Sequence, residues 1–179
     1  NDIYETPFKK ATDANNSGAD YFVSFHRNSG ENPNTASGVQ VLIYGEGGEK
    51  ERLADNILDN LTALGFKDLG VVERPNLVVL KRTNMPAVLV EAGFINNDSD
   101  NQKFDDEFDQ IAAAIADGIL KTIGSGTASR DNMQPMPDDN NIKDPYEGLY
   151  EKDRESNRCT CDKLYRVQVG AFRNRDNAD

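Results

Sequence analysis

The sequence predicts an α/β fold: a mixed, mostly parallel sheet flanked by helices, with a disordered acidic tail behind it. Three observations predict it. Strand-like and helix-like segments alternate from Asn1 to about Ile123. One segment, Ala87-Val88-Leu89-Val90, is apolar on both faces, as a central parallel strand is. Beyond Gly124 the periodicity vanishes. Hydrophobic residues make up 37 % of the 179, and mean hydropathy is −0.69, lean for one core running through the whole chain.

The elements follow in order. Pro7 to Asn15 reads as a short amphipathic helix, with Pro in its first turn and Asn16-Ser17-Gly18 closing it. Phe22-Val23-Ser24-Phe25 is a strand, as is the run from Gly38 to Tyr44. Leu53, Ile57, Leu61 and Leu64 recur at helical spacing between Glu49 and Leu64, and Gly65 stops that helix. Leu77-Val78-Val79-Leu80 reads as a further strand, reached through a loop from Gly65 to Asn76. Phe104, Phe108, Ile111, Ile115, Ile119 and Ile123 predict one long helix, with Asp105, Asp106 and Glu107 suited to the dipole at its start. From residue 124 to 163, Gly124-Ser125-Gly126, Pro135, Pro137, Pro145 and a run of acidic residues mark a flexible linker. Leu164 to Val169 alternates like a half-buried strand, and Asn174 to Ala178 looks like a helix start. Those few residues bury no core. With no methionine at the opening Asn-Asp-Ile-Tyr, both ends read as cuts through larger units.

Charge narrows the partners. Twenty Lys and Arg against 31 Asp and Glu give −11 and a pI near 4.6, which argues against nucleic acid and against docking on anionic membranes. No apolar run reaches the length of a membrane span. Cys159 and Cys161 are too few for a disulfide framework; Cys-x-Cys is a weak metal signal beside free thiols or a local disulfide. The chain holds a single histidine, His26, so a mechanism needing two histidines from this chain is excluded.

His26 and Glu91 each follow an apolar strand, and ligands in open α/β sheets bind outside the carboxyl ends of strands. Read alone, His26 is equally a hydrogen-bonded structural histidine. A carboxylate behind four apolar residues is partly buried and needs a reason. An imidazole and a nearby glutamate suit zinc-water chemistry, but catalytic zinc needs three protein ligands. A serine-hydrolase reading fails: Ser24 shares the strand of His26, and no Gly-x-Ser-x-Gly occurs. Gly45-Glu46-Gly47-Gly48 is a turn without the Lys-Ser/Thr of a phosphate loop. Asn96-Asn97-Asp98-Ser99-Asp100 lacks calcium-loop spacing and reads as a helix entry.

Taken together, Gly18 to Asn28, Gly38-Val39-Gln40-Val41, Leu77-Val78-Val79-Leu80 and above all Met85-Pro86-Ala87-Val88-Leu89-Val90-Glu91-Ala92-Gly93-Phe94-Ile95-Asn96-Asn97 resemble the zinc-dependent N-acetylmuramoyl-L-alanine amidases of bacterial cell walls. Ala14-Asn15 fits the same pattern. The resemblance covers nearly all of Asn1 to Ile123 in order and implies a partial amidase catalytic domain there. It implies peptidoglycan as partner, a secreted or cell-wall location and zinc as cofactor. It matches His26 to a zinc ligand and Glu91 to the catalytic glutamate, with Asn28 and Lys81 near the substrate cleft. Arg27 stands where a small residue is common, which predicts an altered groove rim. Leu164 to Phe172, with Asn174 and Ala178, resembles the start of a SPOR-like peptidoglycan-binding module, residues 164–179.

One departure is large. The family's glycine-rich first-ligand turn and the glutamate ligand on the next helix have no counterpart here. The resemblance then implies an incomplete zinc site and little activity for the chain as given, unless those ligands are supplied from elsewhere. Two readings stand: a peptidoglycan amidase, or a non-catalytic wall-binding protein on an amidase scaffold.

Overall fold

The computed structural model describes residues 5–125 and the pair Gln168–Val169. Thr6 caps the first helix, α1 (Pro7–Ser17), by accepting the Lys9 N–H at 3.1 Å, and Pro7 brings a φ already suited to a helix. Gly18, at φ 66°, ends the helix in the left-handed region. There follow β1 (Phe22–Asn28), β2 (Val39–Ile43), α2 (Gly48–Ala63), β3 (Asp68–Glu73), α3 (Val78–Lys81), β4 (Ala87–Phe94), α4 (Asp98–Asp106), α5 (Phe108–Ser125) and β5 (Gln168–Val169). The strands form one sheet in the order β3-β2-β4-β1-β5. Central β4 is parallel to β1 and antiparallel to β2; β3 is parallel to β2, and β5 to β1. The sheet is mixed, mostly parallel and flanked by helices, as the alternation predicts.

Strand alternation sorts the side chains onto two covered faces. Val23, Val39, Val41, Ile43, Val88, Val90 and Ala92 pack against Leu53, Ile57 and Leu61 of α2 and Ile111 and Ile115 of α5. Phe22, Leu42, Ala87 and Leu89 point the other way, onto Val79 and Leu80 of α3 and onto Met85, with Ala14 of α1 beside them. Helices on both faces explain why β4 is apolar without alternation. A Cβ at Gly118 would lie 2.8 Å from the Ile57 Cα, so α5 rests on α2 at a distance only glycine allows. Among the described residues no helix is long and apolar enough to cross a membrane.

Four expectations need correction. Leu77 to Leu80 is not a strand: Val78–Lys81 forms a single helical turn, closed by the Lys81 and Arg82 N–H groups donating to the Leu77 and Val78 carbonyls. A four-residue apolar run has no period to separate strand from helix. The expected loop after Gly65 contains β3, an edge strand whose exposed ends and half-buried middle hide it from a periodicity search. The single long helix is two, because Glu107 leaves helical geometry at φ −118°, ψ 24°. β1 and β4 run on through His26 to Asn28 and through Glu91 to Phe94, so both residues lie inside strands. The acidic linker beyond Ser125, Cys159, Cys161 and most of residues 164–179 lie outside the described residues.

Candidate active site

The register of β1 on β4 brings the two expected residues together. His26 and Glu91 are Cα partners on adjacent parallel strands, which puts their side chains on one face. That face is the α1/α3 side of the sheet, since Phe22 pairs with Ala87 two steps of alternation earlier along the same strands. Both residues sit near the carboxyl ends of β1 and β4, where the ladder shifts register between His26 and Asn28.

β4 also pairs with β2, and Gln40 is the antiparallel partner of Glu91. Gln40, Glu91 and His26 therefore form a row across three strands on one face. Sequence reasoning missed Gln40. It lies in the family-like run Gly38-Val39-Gln40-Val41 as a polar residue in an otherwise apolar strand, and pairing alone relates it to Glu91.

The packing that makes the row also sets its electrostatics. Burial pushes the Glu91 carboxyl up to about 7, because the charged form has lost its water. Its Oε2 is buried and has no hydrogen-bond partner among the described residues. Burial, assisted by the Lys10 ammonium on α1, pushes the His26 imidazole down to about 4. His26 is thus neutral at physiological pH, with Nε2 3.1 Å from the hydroxyl of buried Ser24. A neutral imidazole is a metal ligand or a hydrogen-bonding group. A carboxyl that titrates near neutrality is suited to take up and return a proton.

Asn28 ends β1, and its side-chain oxygen accepts the Ser29 N–H at 2.8 Å, so the group is engaged in a local turn. Lys81 closes α3; among the described residues no ion pair or side-chain hydrogen bond joins it to His26 or Glu91. Arg27 does not shape the rim on the His26 side. Alternation turns it to the opposite face, where its guanidinium lies 4.1 Å over the Phe104 ring and donates to Asn101 Oδ1 at 2.7 Å.

The loop after β1 is stitched to the segment after β4. The Asn96 carboxamide accepts the Gly30 N–H at 2.9 Å and donates to the Gly30 carbonyl at 2.7 Å, as a neighbouring strand residue would. Asn34 pairs reciprocally with Asp98, and Asn97 donates to the Ala36 carbonyl. Buried Asp100 accepts from the Ser37 hydroxyl and from the Gly38 and Phe94 N–H groups. The run Asn96 to Asp100 is a helix entry, as expected, and also the fastener of this loop.

Among the described residues no group of three or more His, Cys, Asp or Glu side chains is placed to hold a metal ion. The described residues therefore do not by themselves fit a zinc ion. Among them His26 carries a ring nitrogen of the type that binds zinc.

Known proteins are similar to this chain in both sequence and fold. Residues 1–121 match the family model Amidase_3, described as N-acetylmuramoyl-L-alanine amidase. The N-acetylmuramoyl-L-alanine amidase CwlM of Bacillus licheniformis is 30 % identical over 168 residues, covering 93 % of this chain and 53 % of that protein. An uncharacterized cell wall amidase of Bacillus anthracis is 40 % identical over 138 residues, 66 % of this chain and 25 % of its own length. This chain thus spans from a quarter to about half of these relatives. Among solved structures, an N-acetylmuramoyl-L-alanine amidase from Clostridium difficile 630 superposes with a TM-score of 0.65 at 36 % identity, covering 69 % of this chain and 68 % of that one. AmiC2 of Nostoc punctiforme gives 0.63 at 28 % identity, covering 69 % and 68 %.

Proposed function

Because the chain belongs to the N-acetylmuramoyl-L-alanine amidase family, we propose that it supplies the Glu91-bearing part of a peptidoglycan amidase acting at the bacterial cell wall. The bond cut is the amide between the lactyl group of N-acetylmuramic acid and L-alanine of the stem peptide. Cleaving it needs a proton taken from water as the water attacks, and a proton delivered to the departing amine. Glu91 is suited to both, since burial leaves its carboxyl titrating near neutrality with one oxygen unpartnered among the described residues. This is the observation that carries the proposal. Neutral His26, beside it in the sheet, is the one imidazole the chain offers to zinc. Asn28 and Lys81 are assigned to the substrate cleft, and the SPOR-like resemblance of residues 164–179 supports action at the wall.

The first measurement is the zinc content of the purified chain after dialysis against zinc and then metal-free buffer. Near-stoichiometric zinc that is lost in His26→Ala means that groups beyond the described residues complete the ligand set. The loaded protein is then given muropeptides, and new alanine amino termini are followed by mass spectrometry. Glu91→Gln is expected to lower the rate by about 10²- to 10⁴-fold. An undiminished rate in that variant sinks the assignment of Glu91. A chain that takes up no zinc and releases no product favours the second reading, a wall-binding protein on an amidase scaffold. The absence of a three-ligand cluster among the described residues is the observation behind that reading.

A further inference from the structure

We propose that Gln40 is a substrate-positioning residue, whose carboxamide takes the peptide group next to the bond being cut. The proposal rests on the amidase reading of the His26–Glu91 pair and deepens it.

Register is the first ground. Gln40 is the Cα partner of Glu91 in the antiparallel β2–β4 pair, and His26 is the partner of Glu91 on the other side. Directly opposed residues on paired strands have Cβ atoms roughly 4.5–5.5 Å apart and share a face. The face is fixed independently by packing, since Leu42 and Leu89, the next pair in phase, both belong to the core under α3. Gln40 therefore flanks Glu91 at about one strand spacing, on the side away from His26. The two neighbours of the carboxyl are an imidazole and an amide.

The second ground is that the amide is unused. Gln40 is half-buried, yet among the described residues its side chain makes no hydrogen bond, although its neighbours Val39 and Val41 are wholly buried. A half-buried polar group left without a protein partner costs stability unless solvent or a ligand satisfies it. A valine or threonine would suit the strand better.

The third ground is chemical fit. A primary carboxamide offers one acceptor and two donors. It can accept from a peptide N–H and donate to a peptide C=O without bringing charge beside Glu91. A stem peptide presents that N–H and C=O pair one residue from the amide cut. A glutamate at position 40 would lose the donor and place a second carboxylate opposite Glu91, and an aliphatic residue would offer neither contact.

The test uses the full chain and the probe N-acetylmuramoyl-L-alanyl-D-isoglutamine, with binding read by NMR so that no turnover is needed. His26 is the chain's only histidine, so its imidazole resonances form a single reporter of the site. The expected result is that the probe perturbs both the His26 imidazole and the Gln40 side-chain amide. Gln40→Met keeps length and shape without hydrogen bonding, and Gln40→Glu keeps length without the donor. Each is expected to weaken binding about three- to tenfold, the effect of losing one or two neutral hydrogen bonds, while His26 still shifts at saturation. Unchanged affinity in Gln40→Met with the His26 perturbation intact overturns the role of Gln40 and leaves the amidase reading standing. A wild-type chain whose His26 signal ignores the probe overturns both. Two variants guard against a folding failure in one of them.

Discussion

Glu91 and His26 lose water to the same packing, and burial moves their proton affinities in opposite directions. For Glu91 the folded value of about 7 lies above the ordinary 4.5, so between those values the folded state holds a proton that the unfolded chain releases. Its contribution to stability is present at low pH and is lost as pH rises from about 4.5 to 7. For His26 the folded value of about 4 lies below the ordinary 6.5, so the unfolded chain binds the proton first as pH falls. Its contribution is present above 6.5 and is lost on descending to 4. Each shift corresponds to something on the order of 3 kcal/mol, so in metal-free protein the two nearly cancel between pH 5 and 6. Urea unfolding should reveal them separately. Glu91→Gln is expected to gain on wild type as pH rises from 5 to 8, and His26→Gln to gain on it as pH falls from 7 to 4.5. Parallel pH curves for wild type and both variants would contradict the burial argument. Asp100 belongs to the same scale. Its carboxylate accepts from a serine hydroxyl and two backbone N–H groups, so Asp100→Ala strands buried donors at Gly38 and Phe94. A loss of about 3 kcal/mol in urea unfolding is expected, and a smaller one for Asp100→Asn, which keeps an acceptor.

Elements were legible where their apolar residues repeat often enough to fix a period. α2, with Leu53, Ile57 and Leu61, and β4, with four apolar residues in a row, could be read directly. α3 is one turn long, and Val79 and Leu80 would be buried equally well in a strand, so only its hydrogen bonds decide the matter. β3 escaped because an edge strand needs few apolar residues; Leu69, Val71 and Val72 are only half-buried. The break at Glu107 escaped because the apolar stripe continues across it, from Phe104 to Phe108, whose rings meet edge to face. The α2–α5 crossing yields a prediction of its own. Gly118→Ala drives a methyl group into the Ile57 backbone at 2.8 Å, a contact no rotamer relieves. An over-packing cost of about 1–3 kcal/mol is expected, seen as a lower urea midpoint, with the glutamate and histidine site unchanged until the helix pair gives way. A Gly118→Ala chain as stable as wild type would mean that α5 can slide away from α2.

At the scale of the whole molecule, the sheet order β3-β2-β4-β1-β5 brings the separated residues Gln40, Glu91 and His26 into one row. The sequence by itself determined the fold class, because alternation of apolar periods at 2.0 and 3.6 residues leaves few ways to bury both kinds of face. It determined that His26 and Glu91 are the groups to watch, because each is a titratable residue behind an apolar strand. It also determined the family, through the run from Met85 to Asn97. Only the tertiary structure decided that His26 and Glu91 are direct partners, that Arg27 turns away from them, and that Gln40 joins them. The physical reason is register. Which residue of one strand faces which residue of another depends on hydrogen bonds between segments far apart in the chain, and a slip of one residue would send Glu91 to the opposite face.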